Sequence, residues 1–321
     1  MTSPDLESSS FTNSGTLCAG RIVLITGAGR GIGHEHALAF AAQGAKVVVN
    51  DLGAGVDGAG ADRSAAQLVA DEINASGGIA VANGDDVSTW VGAQRAVQAT
   101  LDAFGGLDVV VNNAGILRDR MFVNMTEAEW DDVIAVHLKG SFAVTRHAVD
   151  YWRAQVKAGE LVQGRVIMTS SPSGLFGNIG QANYGAAKAA LAGLTIILAD
   201  ELGRLGVTVN AIAPVALTRM TEGLPGFVEA AKKALEETGF NPFDPMHIAP
   251  LVVWLGSIAS AGVTGRVFTV MGGEIGVAEP WVKGPTITSS QPWDPSAFTD
   301  AIPALVARAR GNSDMSGQTR Q

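Results

Sequence analysis

From Arg21 onward, short runs of apolar and β-branched residues alternate with longer helical stretches, and that alternation leaves few architectures open. The strand-like runs are residues 22–26, 46–50, 79–82, 108–111, 165–169, 207–212 and 266–270. Most are apolar throughout rather than at every second position, which is how parallel strands covered on both faces read. Helical stretches fall between them at residues 31–43, 62–76, 88–104, 126–153, 181–204 and 246–258. Strand, helix, strand repeated in this way predicts a doubly wound α/β domain, a sheet of about seven parallel strands with right-handed crossovers. The 321 residues suffice to bury a sizeable core unaided by disulfides or metals.

The pattern holds to about residue 273, with a Gly-rich surface loop expected at 52–60. Residues 1–19 read as a flexible arm: the first sixteen are Ser/Thr-rich and acidic, without the basic-then-apolar order of a signal peptide. Residues 20–273 form the catalytic domain. A Pro-rich extension, 274–321, is expected to hold one helix at 297–310, to be otherwise irregular and to end in ten disordered residues. A net charge of −9 with no basic run argues against a nucleic-acid surface. No segment approaches the roughly 18 unbroken apolar residues of a bilayer span, so no membrane association is expected. Cys18 is the only cysteine, which excludes an internal disulfide and makes the cytoplasm the default compartment. His34 and His36 have no third ligand nearby and no HExxH spacing, so they read as helix-surface residues and no metal site is expected.

Three motifs carry chemistry. Thr26-Gly27-Ala28-Gly29-Arg30-Gly31-Ile32-Gly33 follows the first strand and opens a helix, where glycines let a pyrophosphate approach the N–H groups of the helix amino terminus. Asp51 ends the next strand; an acid there can accept hydrogen bonds from the adenosine ribose and repels a 2′-phosphate, favouring NAD over NADP. Its alternative role is a turn aspartate before Gly53. Tyr184 and Lys188 are four apart on a helix, so they share a face and the ammonium can lower the phenol pKa from about 10 toward the working range. Tyr184 is then a candidate general acid/base, with Ser171 at the end of the fifth strand.

Taken together, TGAGRGIG, the Asn112-Asn113-Ala114-Gly115 run and Ser171…Tyr184-xxx-Lys188 resemble the short-chain dehydrogenase/reductase family over about residues 20–273. The resemblance implies a Rossmann-like sheet and a catalytic set of Ser171, Tyr184 and Lys188. It implies NAD held by Gly27, Arg30, Gly31, Ile32, Gly33, Asp51, Asp86, Val87, Asn112, Ala114, Gly115, Tyr184, Lys188 and Pro214. It also implies a homodimer or homotetramer built on the helices at 126–153 and 181–204. Many family members carry an asparagine where this chain has His137; His137 could hold a relay water through a ring nitrogen, or backbone carbonyls could do so.

NDLG at 50–53, NNAGILRDRMF and MTSSPSGLFGNIGQANYGAAK further resemble the dehydrogenase part of peroxisomal multifunctional β-oxidation enzymes, which oxidise D-3-hydroxyacyl-CoA with NAD; His137 fits that branch. The implied substrate is a 3-hydroxyacyl-CoA or a steroid-like hydroxy-lipid. Leu175, Phe176, Asn178, Ile179, Gln181, Asn183, Leu217 and Met220 are expected near its mouth. Two alternatives remain: an NADPH-dependent 3-oxoacyl carrier-protein reductase, against which Asp51 speaks, and a non-catalytic nucleotide sensor, against which the intact Ser–Tyr–Lys set speaks.

Overall fold

The computed structural model describes residues 16–53, 64–223, 226–279 and 281–320. In chain order the strands are β1 (Ile22–Thr26), β2 (Lys46–Asn50), β3 (Ile79–Asn83), β4 (Val109–Asn112), β5 (Arg165–Thr169), β6 (Thr208–Pro214), β7 (Val267–Met271) and β8 (Glu274–Ala278). The helices are α1 (Gly31–Ala42), α2 (Ser64–Ala75), α3 (Trp90–Phe104), α4 (Glu127–Ile134), α5 (Gly140–Lys157), α6 (Pro172–Phe176), α7 (Ala182–Leu202), α8 (Phe227–Thr238), α9 (Ala249–Gly256) and α10 (Phe298–Ala307).

These strands form one sheet in the order β3-β2-β1-β4-β5-β6-β7-β8. The first seven are parallel, as the apolar runs predict, and β8 is an added antiparallel edge paired to β7. The alternating faces of each strand explain the unbroken apolar runs. Val23, Ile25, Val47, Val49, Val109 and Val111 pack with Phe40 of α1 and Leu251 and Val252 of α9 on one side. Leu24, Val48, Val110 and Met168 pack with Val144 and Trp152 of α5 and Leu191 of α7 on the other. The strand order reverses between β1 and β4, so their carboxyl ends open a crevice at the switch point.

Several expectations change. The stretch read as one helix over 126–153 starts as expected, with a Thr126–Glu129 capping box, but is split by a π-helical turn, Ala135–Lys139. The sequence reading missed α6, α8 and β8. His36 is not on a helix surface: it is fully buried, whereas His34 is half-buried and bonded to Glu35 and Glu72. Among the described residues no group of His, Cys, Asp and Glu is arranged to hold a metal ion. The chain from Ala182 to Leu205 is long and apolar enough by length and composition to cross a membrane, although Lys188, Asp200, Glu201 and Arg204 interrupt it, so that no unbroken apolar run is present there. In the fold, its Asn183, Ala187, Leu191, Thr195 and Ala199 form a buried stripe. Part of the expected arm is placed: Leu17 and Cys18 donate their backbone N–H groups to Gln43, and the Cys18 side chain is buried. Residues 1–15 and 54–63, with most of the Gly-rich loop, lie outside the described residues. Of the last ten residues, expected to be disordered, 312–320 instead form a folded turn in which Ser313 bridges Thr319, and Gln321 lies outside the described residues.

Candidate active site

A cavity of about 520 Å³ opens at the switch point, bounded by the ends of β1, β2, β4, β5 and β6. One side of it is the β1–α1 loop. Gly31 sits at φ +56°, a left-handed conformation that favours glycine, and a Cβ on Gly33 would collide with the Gly27 carbonyl. Helix α1 has no side-chain cap at Arg30 and no acid in its first turn, so its leading N–H groups and positive dipole end are left for an anion. Asp51 accepts from the N–H groups of Gly29 (2.8 Å) and Gly53 (2.7 Å); it is both a turn aspartate and a carboxylate in the cavity wall. Arg30, Ile32, Asp86, Val87, Ala114, Gly115 and Pro214 line the same cavity. Loop, bare helix end and carboxylate together suit a dinucleotide.

Asn112 does not fit its expected place. Its side chain points into the core, donating to Thr145 Oγ1 (2.9 Å) and Met168 Sδ (3.3 Å), and does not line the cavity. The cavity residue is Asn113, whose amide donates to the carbonyls of Thr26 (3.1 Å) and Gly27 (3.0 Å), tying the β1 and β4 loops together. Neighbouring asparagines on a strand end face opposite ways, so the motif alone could not say which one turns inward. Thr218, which also lines the cavity beside Gly31, was missed; its signal is its place just past the end of β6.

Ser171, Tyr184 and Lys188 meet on the cavity wall. Ser171 caps α6, accepting from the Ser173 N–H at 3.1 Å, and it is hydrogen-bonded to Tyr184. Lys188, one turn beyond Tyr184, lies 5.4 Å from the phenol ring centre and donates to the Thr169 carbonyl at 2.6 Å. The expected depression of the tyrosine pKa is not what the protein's own groups produce. Desolvation raises Tyr184 to about 12; the Ser171 bond opposes this, while the negative charge of Asp119 adds to it. Desolvation lowers Lys188 to about 7. Burial thus favours a neutral phenol beside an ammonium that readily loses its proton.

His137 lies in the π-helical turn, buried edge-on against Tyr184 at 5.2 Å between ring centres. Its Nε2 is 2.8 Å from the Ile116 carbonyl and 3.1 Å from the Ile116 N–H, and its Nδ1 has no hydrogen-bond partner. Desolvation first, then the charge of Lys188, hold the ring well below the usual histidine range, so it is neutral.

The expected mouth residues divide. Gln181 and Asn183 hold the loop in shape: Gln181 donates to Asp119 (2.8 Å) and accepts from Ser173 Oγ (2.7 Å), while Asn183 donates to the carbonyls of Arg118 and Glu129 (both 3.0 Å). Asn178, Gln181 and Met220 line the cavity, but Asn183, Leu175, Phe176, Ile179 and Leu217 do not; the apolar wall is made by Ile116, Leu117, Phe227 and Met315 instead.

Comparison with known proteins matches this geometry. Residues 21–225 match the family model described as short chain dehydrogenase. Hydroxyacyl-CoA dehydrogenase ChsB1 of Mycobacterium tuberculosis is 42% identical over 298 residues, 91% of this chain and 90% of that protein. The peroxisomal multifunctional enzyme type 2 of Mus musculus is 46% identical over 88% of this chain, which spans only 36% of that larger protein. The crystal structure of a short chain dehydrogenase from Mycobacterium avium superimposes with a TM-score of 0.82 at 51% identity, covering 92% of this chain and 98% of that one. The chain therefore belongs to the short-chain dehydrogenase family, and it is a nicotinamide-dependent oxidoreductase acting on CH–OH groups.

Proposed function

We propose that the protein oxidises the secondary hydroxyl of a 3-hydroxyacyl-CoA, or of a similarly bulky hydroxy-lipid, to the ketone with NAD. The observation that carries this reading is one cavity holding the Ser171–Tyr184–Lys188 wall, the bare amino terminus of α1 and the Asp51 carboxylate. The Ser171 hydroxyl positions the substrate oxygen. Tyr184 as phenolate takes the hydroxyl proton in oxidation, and as phenol it returns that proton in reduction. Lys188 supplies the adjacent positive charge that favours phenolate when it is protonated. When bound, the oxidised nicotinamide supplies the hydride acceptor. Gly27, Gly31, Gly33 and the α1 amino terminus would hold the pyrophosphate, and Asp51 the adenosine ribose.

Asp51 supports NAD because its charge opposes a 2′-phosphate. The substrate class rests on the apolar wall and on the named activity of the mycobacterial relative. Each buried methylene contributes about 0.8 kcal/mol, so a large carbon skeleton gains several powers of ten over a short alcohol. Apolar residues left exposed on α5 and α7, including Phe142, Ile196 and Ile197, support pairing of copies through these helices. The reading places the enzyme in the cytoplasm, consistent with a single, buried Cys18 thiol. The test is kcat/KM for D- and L-3-hydroxyacyl-CoAs, hydroxysteroids and short alcohols with NAD and NADP. The expected result is a preference for the bulky substrates of at least about a hundredfold. Best turnover of small polar alcohols or sugars would overturn the substrate assignment.

A further inference from the structure

The family model ends at residue 225, yet the cavity wall contains Met315, ninety residues beyond it. The segment that brings it there is a built structure. Asp314 Oδ1 accepts from the Ser316 N–H (2.8 Å), the Ser316 hydroxyl (2.6 Å) and the Gln318 N–H (3.1 Å). The turn closes through Gly317 at φ +82° and the antiparallel bridge between Ser313 and Thr319. Arg320 locks its two ends, donating to the carbonyls of Asn312 and Ser313 at 2.8 Å. The same guanidinium reaches 144 residues back along the chain, where Nη2 donates to the Phe176 carbonyl at 2.8 Å. Gly317 lies against the Phe176 ring so closely that a Cβ there would stand 3.4 Å from Cζ. The hairpin is therefore docked on the carboxyl end of α6, the helix whose amino end is capped by Ser171.

We propose that Met315 is a specificity-determining residue: it forms the wall against which the apolar skeleton of the substrate packs, and the 312–320 hairpin is part of the substrate site. Met315 is 40% exposed, so its thioether is not consumed by packing within the tail. A flexible, unbranched side chain suits an irregular apolar surface. The inference rests on the cavity being the site of alcohol oxidation.

The experiment compares wild type, Met315→Ala, Met315→Trp, Arg320→Gln and a chain ending at Gly311. For each, kcat/KM is measured across a series of 3-hydroxyacyl-CoAs of increasing chain length, alongside NADH affinity by fluorescence and Tm. Met315→Ala should lower kcat/KM for the longest substrates about tenfold through KM, as loss of buried apolar contact requires, with a much smaller effect on the shortest. Met315→Trp should move the length optimum toward shorter chains. Arg320→Gln and the truncated chain should shift the long-to-short selectivity ratio in the same direction as Met315→Ala. NADH affinity should stay at its wild-type value in all four. A selectivity ratio within about twofold of wild type in every variant that retains wild-type Tm overturns the proposal, because a wall residue must change discrimination. If wild type prefers another substrate class, the acyl-CoA reading fails separately, and the ratio is read between the largest and smallest members of that class.

Discussion

At Tyr184 and Lys188, burial acts on both members of the pair, raising the phenol and lowering the ammonium. What distinguishes the pair is position: both line the cavity, with Ser171 beside the Tyr184 hydroxyl. Tyr184→Phe keeps the ring and removes the proton, and turnover should fall about 10²- to 10⁴-fold while NADH affinity, followed by fluorescence, persists. Asp51→Ala removes the charge set against a 2′-phosphate. The ratio of kcat/KM for NAD to that for NADP should drop by about tenfold or more, equivalent to roughly 1.4 kcal/mol; an unchanged ratio would assign selectivity to another group. His137 poses a different problem, since one neutral ring nitrogen faces both a donor and an acceptor of Ile116. An asparagine amide offers one group to each, so His137→Asn should hold or raise Tm. His137→Leu strands both backbone groups and should cost about 1–3 kcal/mol by denaturant unfolding.

Among the elements, the crossing of α6 and α7 holds Ser171, Tyr184 and Lys188 together. Gly174 permits it: a Cβ there would stand 2.6 Å from Lys188 Cβ and from the Lys188 carbonyl carbon. Gly174→Ala should therefore cost about 1–3 kcal/mol of stability, because α7 must shift. Activity should fall further than stability at assay temperature, since the shift carries Tyr184 and Lys188 away from Ser171. Wild-type kcat/KM in this variant would show that the crossing does not position the pair. The strands were legible in sequence because burial on both faces leaves an unbroken apolar run. The helices around the site were less so. A π-helical turn has the same composition as the α-helix around it, and α6 is five residues long, too short for a periodic signal.

For the molecule as a whole, acid stability should depend on buried histidines. Desolvation lowers His36 from 6.5 to about 3, and it lowers His137 as well. As pH falls below about 6.5 the unfolded chain takes up protons that the folded one excludes. Stability from these sites is thus intact above that pH and declines as it falls, by up to about 1.4 kcal/mol per pH unit per histidine. His36→Leu should flatten the acid limb of a Tm-against-pH curve; an unchanged slope would mean that other groups govern it. At the level of assembly, the proposed pairing of copies through α5 and α7 requires that Ile197→Glu, which places a charge on the exposed apolar face of α7, shift the mass measured by light scattering toward the monomer; a wild-type mass that is already monomeric would overturn that pairing. The sequence alone determined the parallel sheet, the glycine-rich loop after β1 and the shared face of Tyr184 and Lys188, because each is written in local periodicity or in fixed spacing between neighbours on one element. Tertiary structure decided which of Asn112 and Asn113 faces the cavity, that His36 is buried, and that the tail supplies Met315. Those outcomes depend on contacts between segments far apart in the chain, up to the 144 residues separating Arg320 from Phe176, and no local pattern encodes them.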